Sequence, residues 1–260
     1  MMAMLKVTVC QLGNTPNDLA RDWERLAAHT RATASDLVLL PEMAFAPWFA
    51  TTRDVDVGVW QSAVEAHERW LERLPDLAPA LVVGTRPLTA GGRRLNQGFV
   101  WDRAGGYRPV HDKYYLPDEP GFWEASWYER GGGEFAPIDV GGLKLGMLIC
   151  TELWFMDRAR AYGQAGIHLL AVPRATPRET VDKWLAGGRA AAVIAGAFAL
   201  SSCPATDEGA DANLGGQGWA IGPDGDVLSV TSREQPFVTI EIDLLDAERA
   251  KRTYPRYVPD

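Results

Sequence analysis

Three residues of reactive type stand at or near the ends of strand-like runs: Glu42 after residues 37–41, Lys113 within residues 108–115, and Cys150 closing residues 143–150. In the last run Leu143, Leu145, Met147 and Ile149 fall on one face, at the period of two that a pleated chain requires. A helix is expected to follow from about Asp157, so the thiol sits where open α/β folds place their ligands. Backbone N–H groups at such a position stabilise a thiolate or an oxyanion. Taken singly, each residue is ordinary. A cysteine closing an apolar strand reads as a small core residue, Glu42 as a solvated turn carboxylate and Lys113 as a surface lysine. Together they supply what acyl transfer from an amide needs. A thiolate attacks the carbonyl carbon, a carboxylate takes the thiol proton and returns it to the leaving nitrogen, and a fixed cation stabilises the tetrahedral oxyanion. No histidine is placed to act as the base. His111 lies two residues before Lys113, shares its face in an extended chain, and reads as structural.

Composition narrows the alternatives. The net charge of −8 and the absence of any basic run beyond Arg93-Arg94 argue against a nucleic-acid partner. The three cysteines, Cys10, Cys150 and Cys203, are odd in number and far apart, which fits a reducing compartment better than a disulfide framework. A first strand opening at Leu5 leaves no room for a signal peptide, and the most apolar run, residues 190–200, is too short to span a bilayer. A cytoplasmic protein without membrane contact is the expectation. Four histidines, none at finger or zincin spacing, give no metal site, and no glycine-rich phosphate loop is present. No cofactor is expected.

The elements that must position these residues can be read in order. Residues 5–12 alternate as a strand. Asn17 is placed to cap a helix with Leu19, Trp23, Leu26 and Ala27 on one face. Residues 37–40 form an apolar run typical of a strand covered on both faces. Trp60, Val64, His67, Leu71 and Leu74 mark a second helix, with Pro75 and Pro79 ending it. Strands follow at 80–88, 96–102 and 108–115. Residues 117–133 form an irregular aromatic segment of a length usually reserved for function. A hairpin spans 135–150, a strand 168–173, and Thr176-Pro177-Arg178-Glu179 reads as a capping box opening a helix. That helix is rich in alanine from 190 to 197, which allows close approach of another helix, including one from a second subunit. Strands at 198–203, 218–222, 227–231 and 237–242 and a helix at 243–251 complete the chain. With no repeat or linker, one domain over 1–260 is expected, with mixed sheets layered by helices.

In this arrangement the chain resembles the nitrilase superfamily of carbon–nitrogen hydrolases. The segments that carry the likeness are Leu39-Leu40-Pro41-Glu42-Met43, Lys113-Tyr114-Tyr115-Leu116-Pro117, Leu148-Ile149-Cys150-Thr151-Glu152, and Glu124-Ala125-Ser126-Trp127-Tyr128-Glu129-Arg130-Gly131. Gly215-Gly216-Gln217-Gly218 and Pro223-Asp224-Gly225 also look like the family's C-terminal strands. The resemblance implies a four-layer α-β-β-α sandwich with two mixed sheets and a Cys150–Glu42–Lys113 triad. It also implies a second, structural glutamate at Glu124 and homodimers or larger homo-oligomers paired through helices after the nucleophile. Residues 113–124 look most like the N-carbamoyl amide hydrolases of the superfamily.

Three departures bear on the substrate: Glu152 where aspartate is common, Tyr115 where histidine or a related residue is common, and Arg174 in place of a small polar residue. Arg174 is a candidate to bind a substrate carboxylate bidentately, or to pair with Glu152 as structure. Trp123, Trp127, Trp154 and Phe155 are expected to wall the pocket, with Phe45, Trp48 and Phe49 near its mouth. The expected activity is hydrolysis of a small amide or N-carbamoyl compound through a cysteine thioester, with release of ammonia. The alternatives are a nitrile-cleaving enzyme using the same residues, or a non-catalytic binding protein on this fold. Retaining four polar residues argues against the last, because buried charges without use are costly.

Overall fold

A computed structural model describes residues 4–258 except 79, 208 and 211. Its elements begin with β1 (Met4–Cys10), α1 (Pro16–Thr33), β2 (Leu37–Leu39), α2 (Val57–Leu71), β3 (Leu81–Ala90), β4 (Arg93–Asp102) and β5 (Gly106–Asp112). A long connection containing the one-turn helix α3 (Glu124–Trp127) leads to the hairpin of β6 (Ile138–Val140) and β7 (Leu143–Met147). Then come α4 (Met156–Gln164), β8 (Leu169–Pro173), α5 (Val181–Ala195), β9 (Phe198–Ser202), β10 (Trp219–Ile221), β11 (Val227–Val230), β12 (Phe237–Asp243) and α6 (Leu244–Ala250).

Among the described residues the strands form two six-stranded sheets, ordered β12-β1-β2-β3-β4-β5 and β11-β10-β9-β8-β7-β6. In one, β1, β2 and β3 are parallel; in the other, β7, β8 and β9 are. The flanking pairs are antiparallel in both. Two glycines fix how the layers stack. A side chain on Gly98 of β4 would collide with Met147 of β7, so those strands face each other across the middle. A side chain on Gly146, the neighbour of Met147 in sequence, would strike Tyr162 of α4, so the opposite face of that sheet carries helices. The other sheet repeats this logic. Val7, Val9, Leu37, Leu39 and Val83 join the central core. Val38, Leu40 and Val82, one step out of phase, pack with Leu19, Trp23 and Leu26 of α1. Strands buried on both faces explain the continuous apolar runs, and the result is the four-layer α-β-β-α sandwich.

Several boundaries differ from the sequence reading. The cap of α1 is Thr15, whose hydroxyl accepts from Asp18 N at 3.2 Å; Pro16 takes the first helical position and leaves Asn17 inside. Leu74 lies in a separate short turn, Leu74–Leu77, beyond the end of α2. Pro79, expected to end that helix, lies outside the described residues. The Thr176 capping box is absent: its hydroxyl instead accepts from Arg174 Nη1 at 2.9 Å, and a short turn, Arg178–Thr180, precedes α5. The small residues of α5 are used within the subunit. Ala191, Ala192 and Ala195 are buried, and Gly188 lies against the Trp219 ring.

Candidate active site

Glu42, Cys150 and the Arg174–Ala175 segment all lie just past the carboxyl ends of parallel strands, β2, β7 and β8. Lys113 lies just past β5. The strand expected to run to Cys150 stops at Met147. Ile149 N leaves the ladder and donates to Glu152 Oε2 at 2.7 Å, and Cys150 takes a left-handed conformation with φ of 51° at the start of a short helical turn. Met43, next to Glu42, is also left-handed at φ 49°, with its N–H donating to Thr85 Oγ1 at 2.8 Å. Such non-glycine backbone costs on the order of 1–3 kcal/mol per residue and persists where the surroundings over-determine it.

The buried polar groups form one connected network. Lys113 Nζ donates to Glu42 Oε1 at 2.8 Å and to Glu124 Oε2 at 2.5 Å, with all three side chains fully buried. Asn96 Nδ2 donates to Glu42 Oε1 at 2.8 Å, and the Tyr128 hydroxyl donates to Glu124 Oε2. Ala175 ties the network to the thiol: its N–H donates to Glu42 Oε2 at 3.2 Å, and its carbonyl accepts from Cys150 Sγ at 3.8 Å. The hydrogen bond of the thiol is thus to Ala175 O. Glu42 is already engaged by Lys113, Asn96 and Ala175. Breaking one of these buried ion pairs would cost roughly 3–5 kcal/mol.

Electrostatics follow from burial. Burial pushes the Cys150 thiol well above the ordinary cysteine range; the Glu42 charge adds to this and Lys113 opposes it. Glu124 is pushed up to about 7, first by burial, against the pull of Lys113 and with the push of Glu42. Burial works against the Lys113 cation, yet Glu124 and Glu42 more than offset it and hold its pKa above the ordinary lysine value.

Glu152 is explained by its partners. Its carboxylate accepts from Tyr114 N at 2.7 Å and Ile149 N at 2.7 Å, and meets His111 Nε2 at 2.8 Å. It therefore clasps the Lys113 segment to the Cys150 elbow. His111 Nδ1 faces Glu134 O at 3.1 Å, so both ring nitrogens are engaged with oxygen acceptors. Arg174 does not pair with Glu152 and does not itself line the cavity at Cys150, although it holds Thr176, which does. It is buried, donates to Ser201 Oγ at 2.6 Å, Thr176 Oγ1 at 2.9 Å and Gln217 O at 2.8 Å, and lies between the rings of Trp184 and Trp219.

The cavity at Cys150, about 190 Å³, is lined by Phe122, Glu124, Trp154, Thr176 and Trp184 among others. Of the four expected wall residues, only Trp154 lines it. Trp127 instead donates to Thr52 O at 2.7 Å and lines a separate cavity with Trp48 and Phe49. Trp123 lies under Arg53, and Phe155 stacks on Tyr115 at 3.4 Å between centroids. Phe45 sits away from the mouth, between Trp23 and Trp70. The aromatic segment folds partly outward because its rings complete a core with α2. Sequence reasoning missed Asn96, Tyr128 and Ala175. Tyr128 had a signal, one helical turn after Glu124; Asn96 and Ala175 had none.

Glutamates, lysine and cysteine converging at strand ends in this sandwich are accompanied by a direct family match. The chain belongs to the carbon–nitrogen hydrolase family, whose model matches residues 6–252. It is 28% identical over 269 residues to the chloroplastic omega-amidase of Arabidopsis thaliana, covering 98% of this chain and 72% of that protein. It is 26% identical over 166 residues to N-carbamoylputrescine amidase of the same plant, covering 62% of this chain and 55% of that one. The likeness is therefore not confined to the N-carbamoyl branch. In fold it is similar to a carbon-nitrogen hydrolase from Helicobacter pylori G27, with a TM-score of 0.85 at 21% identity, covering 97% of this chain and 94% of that one. Among the described residues no helix is long and apolar enough to cross a membrane, and no cluster of ligating side chains is placed to hold a metal ion.

Proposed function

We propose that this protein is a single-domain, thiol-dependent hydrolase of small amide or N-carbamoyl substrates that releases ammonia. The observation that carries the reading is the buried Asn96–Glu42–Lys113–Glu124–Tyr128 network joined to the Cys150 thiol through the Ala175 peptide, beside a cavity. At rest the thiol is neutral, since burial and the Glu42 charge both raise its pKa. Attack therefore needs a base, and Glu42 takes the proton as sulfur bonds to the carbonyl carbon. The Lys113 ammonium stabilises the oxyanion. Glu42 returns the proton to the leaving nitrogen, ammonia departs, and a thioester remains. Water, deprotonated by Glu42, then attacks the thioester to release the acid and restore the thiol. The names of the relatives, omega-amidase and N-carbamoylputrescine amidase, support this substrate range. The three cysteines are buried and unpaired, which supports a reducing, cytoplasmic setting.

The test is ammonia release from matched amide, ureido and nitrile compounds by wild type and Cys150→Ser. Turnover of the amide or ureido compound, lost in the variant at unchanged melting temperature, is expected. A variant that keeps wild-type turnover would remove Cys150 as the nucleophile; turnover of the nitrile alone would replace the amidase reading.

A further inference from the structure

His111 and Glu152 stand outside the network that reaches the thiol, and neither lines the Cys150 cavity. The imidazole side chain is 3% exposed and the carboxylate is fully buried. His111 lies two residues before Lys113, and Glu152 two residues after Cys150. Glu152 also accepts from the N–H of Tyr114, the residue after Lys113, and from that of Ile149, the residue before Cys150, each at 2.7 Å. One carboxylate therefore sets the register between the segment that carries the cation and the segment that carries the nucleophile.

The protonation of the pair follows from counting donors. His111 Nδ1 faces Glu134 O at 3.1 Å, and a carbonyl only accepts. Nε2 faces both oxygens of Glu152, at 3.0 and 2.8 Å. Those oxygens already accept two backbone N–H bonds, which favours the ionised carboxylate, and that form only accepts as well. A neutral imidazole has one N–H and would turn a lone pair on one of these oxygens. The imidazolium supplies both donors.

The charged and titratable groups around the ring come from several elements. Glu152 comes from the turn after β7 and is in direct contact. Glu134, before β6, offers its carbonyl, and its residue is exposed. On the α4 side the Phe135 ring lies 4.8 Å from the imidazole; Arg158 sits over that ring at 4.7 Å and donates to the Tyr115 hydroxyl at 3.0 Å, and Tyr162 meets its edge. On the segment of His111 itself, Asp112 is bonded to Gln97 and Lys113 to its two glutamates. The paired strand β4 presents Gly98, without a charge.

We propose that His111 is a positioning residue acting as an imidazolium, whose charged contact with Glu152 holds the Lys113 segment against the Cys150 elbow, so that turnover falls when alkaline pH removes its proton. The inference rests on the amide-hydrolase reading. The contact is present at low pH and lost as pH rises. Cys150, Lys113 and Tyr162 are all held above their ordinary values, so they keep their protons longer. Glu124, pushed up to about 7, ionises as pH rises, and its ionised form is the one that holds Lys113, so its effect has the opposite sign.

Two measurements on the full chain test this. Nitrogen NMR of the histidine rings reads protonation directly; the chain has four histidines, and the signal missing from His111→Gln identifies His111. Beside it, kcat and KM for ammonia release from a small neutral amide are followed from pH ~6 to ~10 in wild type and His111→Gln. Both ring nitrogens are expected to carry hydrogen where wild type turns over fastest, and the alkaline fall in kcat to track the loss of one. His111→Gln keeps an N–H for Glu152 but no charge. It is expected to lower kcat about tenfold with KM within about twofold, and to abolish the alkaline fall. A ring nitrogen bare of hydrogen at the pH of fastest turnover overturns the proposal, as does an alkaline fall that persists in the variant. Where His111→Gln does not fold, assigning the ring through variants of the other histidines leaves the wild-type comparison, and a kcat fall out of step with the ring proton overturns the proposal. Wild type that releases no ammonia from amide, ureido or nitrile compounds sinks the hydrolase reading, whereas an active enzyme that fails the proton or pH test sinks this inference alone.

Discussion

Replacing Arg174 by alanine is expected to weaken the fold and to slow every substrate by the same factor. The guanidinium is buried and supplies hydrogen bonds to Ser201 Oγ, Thr176 Oγ1 and Gln217 O. Each buried acceptor stranded by its loss costs about 1–3 kcal/mol. Removing a cation whose burial already pulls its pKa down returns part of that. A net loss of roughly 3 kcal/mol follows, or about 6–12 °C in Tm at ~2–4 °C per kcal/mol for a chain near this size. The kinetic effect travels through the backbone. Arg174 O accepts from Glu42 N at 3.2 Å, and the same peptide and the one after it hold the Glu42 carboxylate, through Ala175 N, and the Cys150 thiol, through Ala175 O. Loosening these peptides is expected to lower kcat by about tenfold, because an ångström of misplacement costs up to ~100-fold. The assay pairs thermal melts with kcat and KM for a carboxylate-bearing amide and a neutral one. Arg174→Met, which fills the space between Trp184 and Trp219 without a charge, is expected to recover part of the Tm and none of the kcat. An unchanged Tm with a KM increase confined to the carboxylate-bearing amide would refute the reasoning, because the guanidinium would then be reaching substrate.

Glu152→Gln keeps the shape of the clasp but removes its charge beside His111. It is expected to lower kcat about tenfold with little change in KM, while Glu152→Ala, which strands His111, Tyr114 N and Ile149 N, is expected to cost roughly 3–5 kcal/mol in a denaturant titration. Wild-type kinetics in Glu152→Gln would show that the backbone bonds alone set the elbow. His67 provides a pH test: it is fully buried, and burial pulls its pKa from 6.5 down to about 3. Between those values the unfolded chain binds the extra proton, so this contribution to stability is fully present above about 6.5 and is lost as pH falls toward 3. The slope is about 1.4 kcal/mol per pH unit, and His67→Gln is expected to flatten the stability profile by that amount between pH ~4 and ~6; an unaltered slope would exclude His67 as the group responsible.

What the sequence made legible was periodicity and strand-end chemistry. Strands buried on both faces announced themselves as unbroken apolar runs, and the turns at Gly91-Gly92, Gly141-Gly142 and Pro223-Asp224-Gly225 separated them. Helix starts were less legible because Thr15 and Asn17 are both good caps, and only the placement of Pro16 decides between them. Thr176 looked like a cap but is engaged by a guanidinium two residues away, a tertiary competition that local propensity does not encode. The pocket walls were misplaced for a similar reason. Nearness in sequence to Lys113 and Cys150 does not fix which way a ring turns, and Trp127 and Trp48 pack in a core with Trp60, Ala63 and Val64 of α2. The network residues Asn96 and Ala175 left no mark in sequence, since one acts from a neighbouring strand and the other through its backbone alone.

The second glutamate gives the proposed mechanism an internal consistency that a triad alone lacks. When Glu42 accepts the thiol proton, Lys113 loses the charge of one of its two carboxylate partners. A buried ammonium left alone would cost roughly 3–5 kcal/mol, a large addition to the barrier. Glu124 removes that difficulty, because it holds Lys113 Nζ independently at 2.5 Å. Its own pKa of about 7 is set by burial and pushed further by the Glu42 charge. Neutralising Glu42 withdraws that push, so Glu124 becomes more firmly ionised at the step when Lys113 depends on it. The Tyr128 hydroxyl, which also donates to Glu124, favours the same charged form. Glu42 can thus cycle between carboxylate and acid while the lysine remains a cation throughout, ready for the oxyanion.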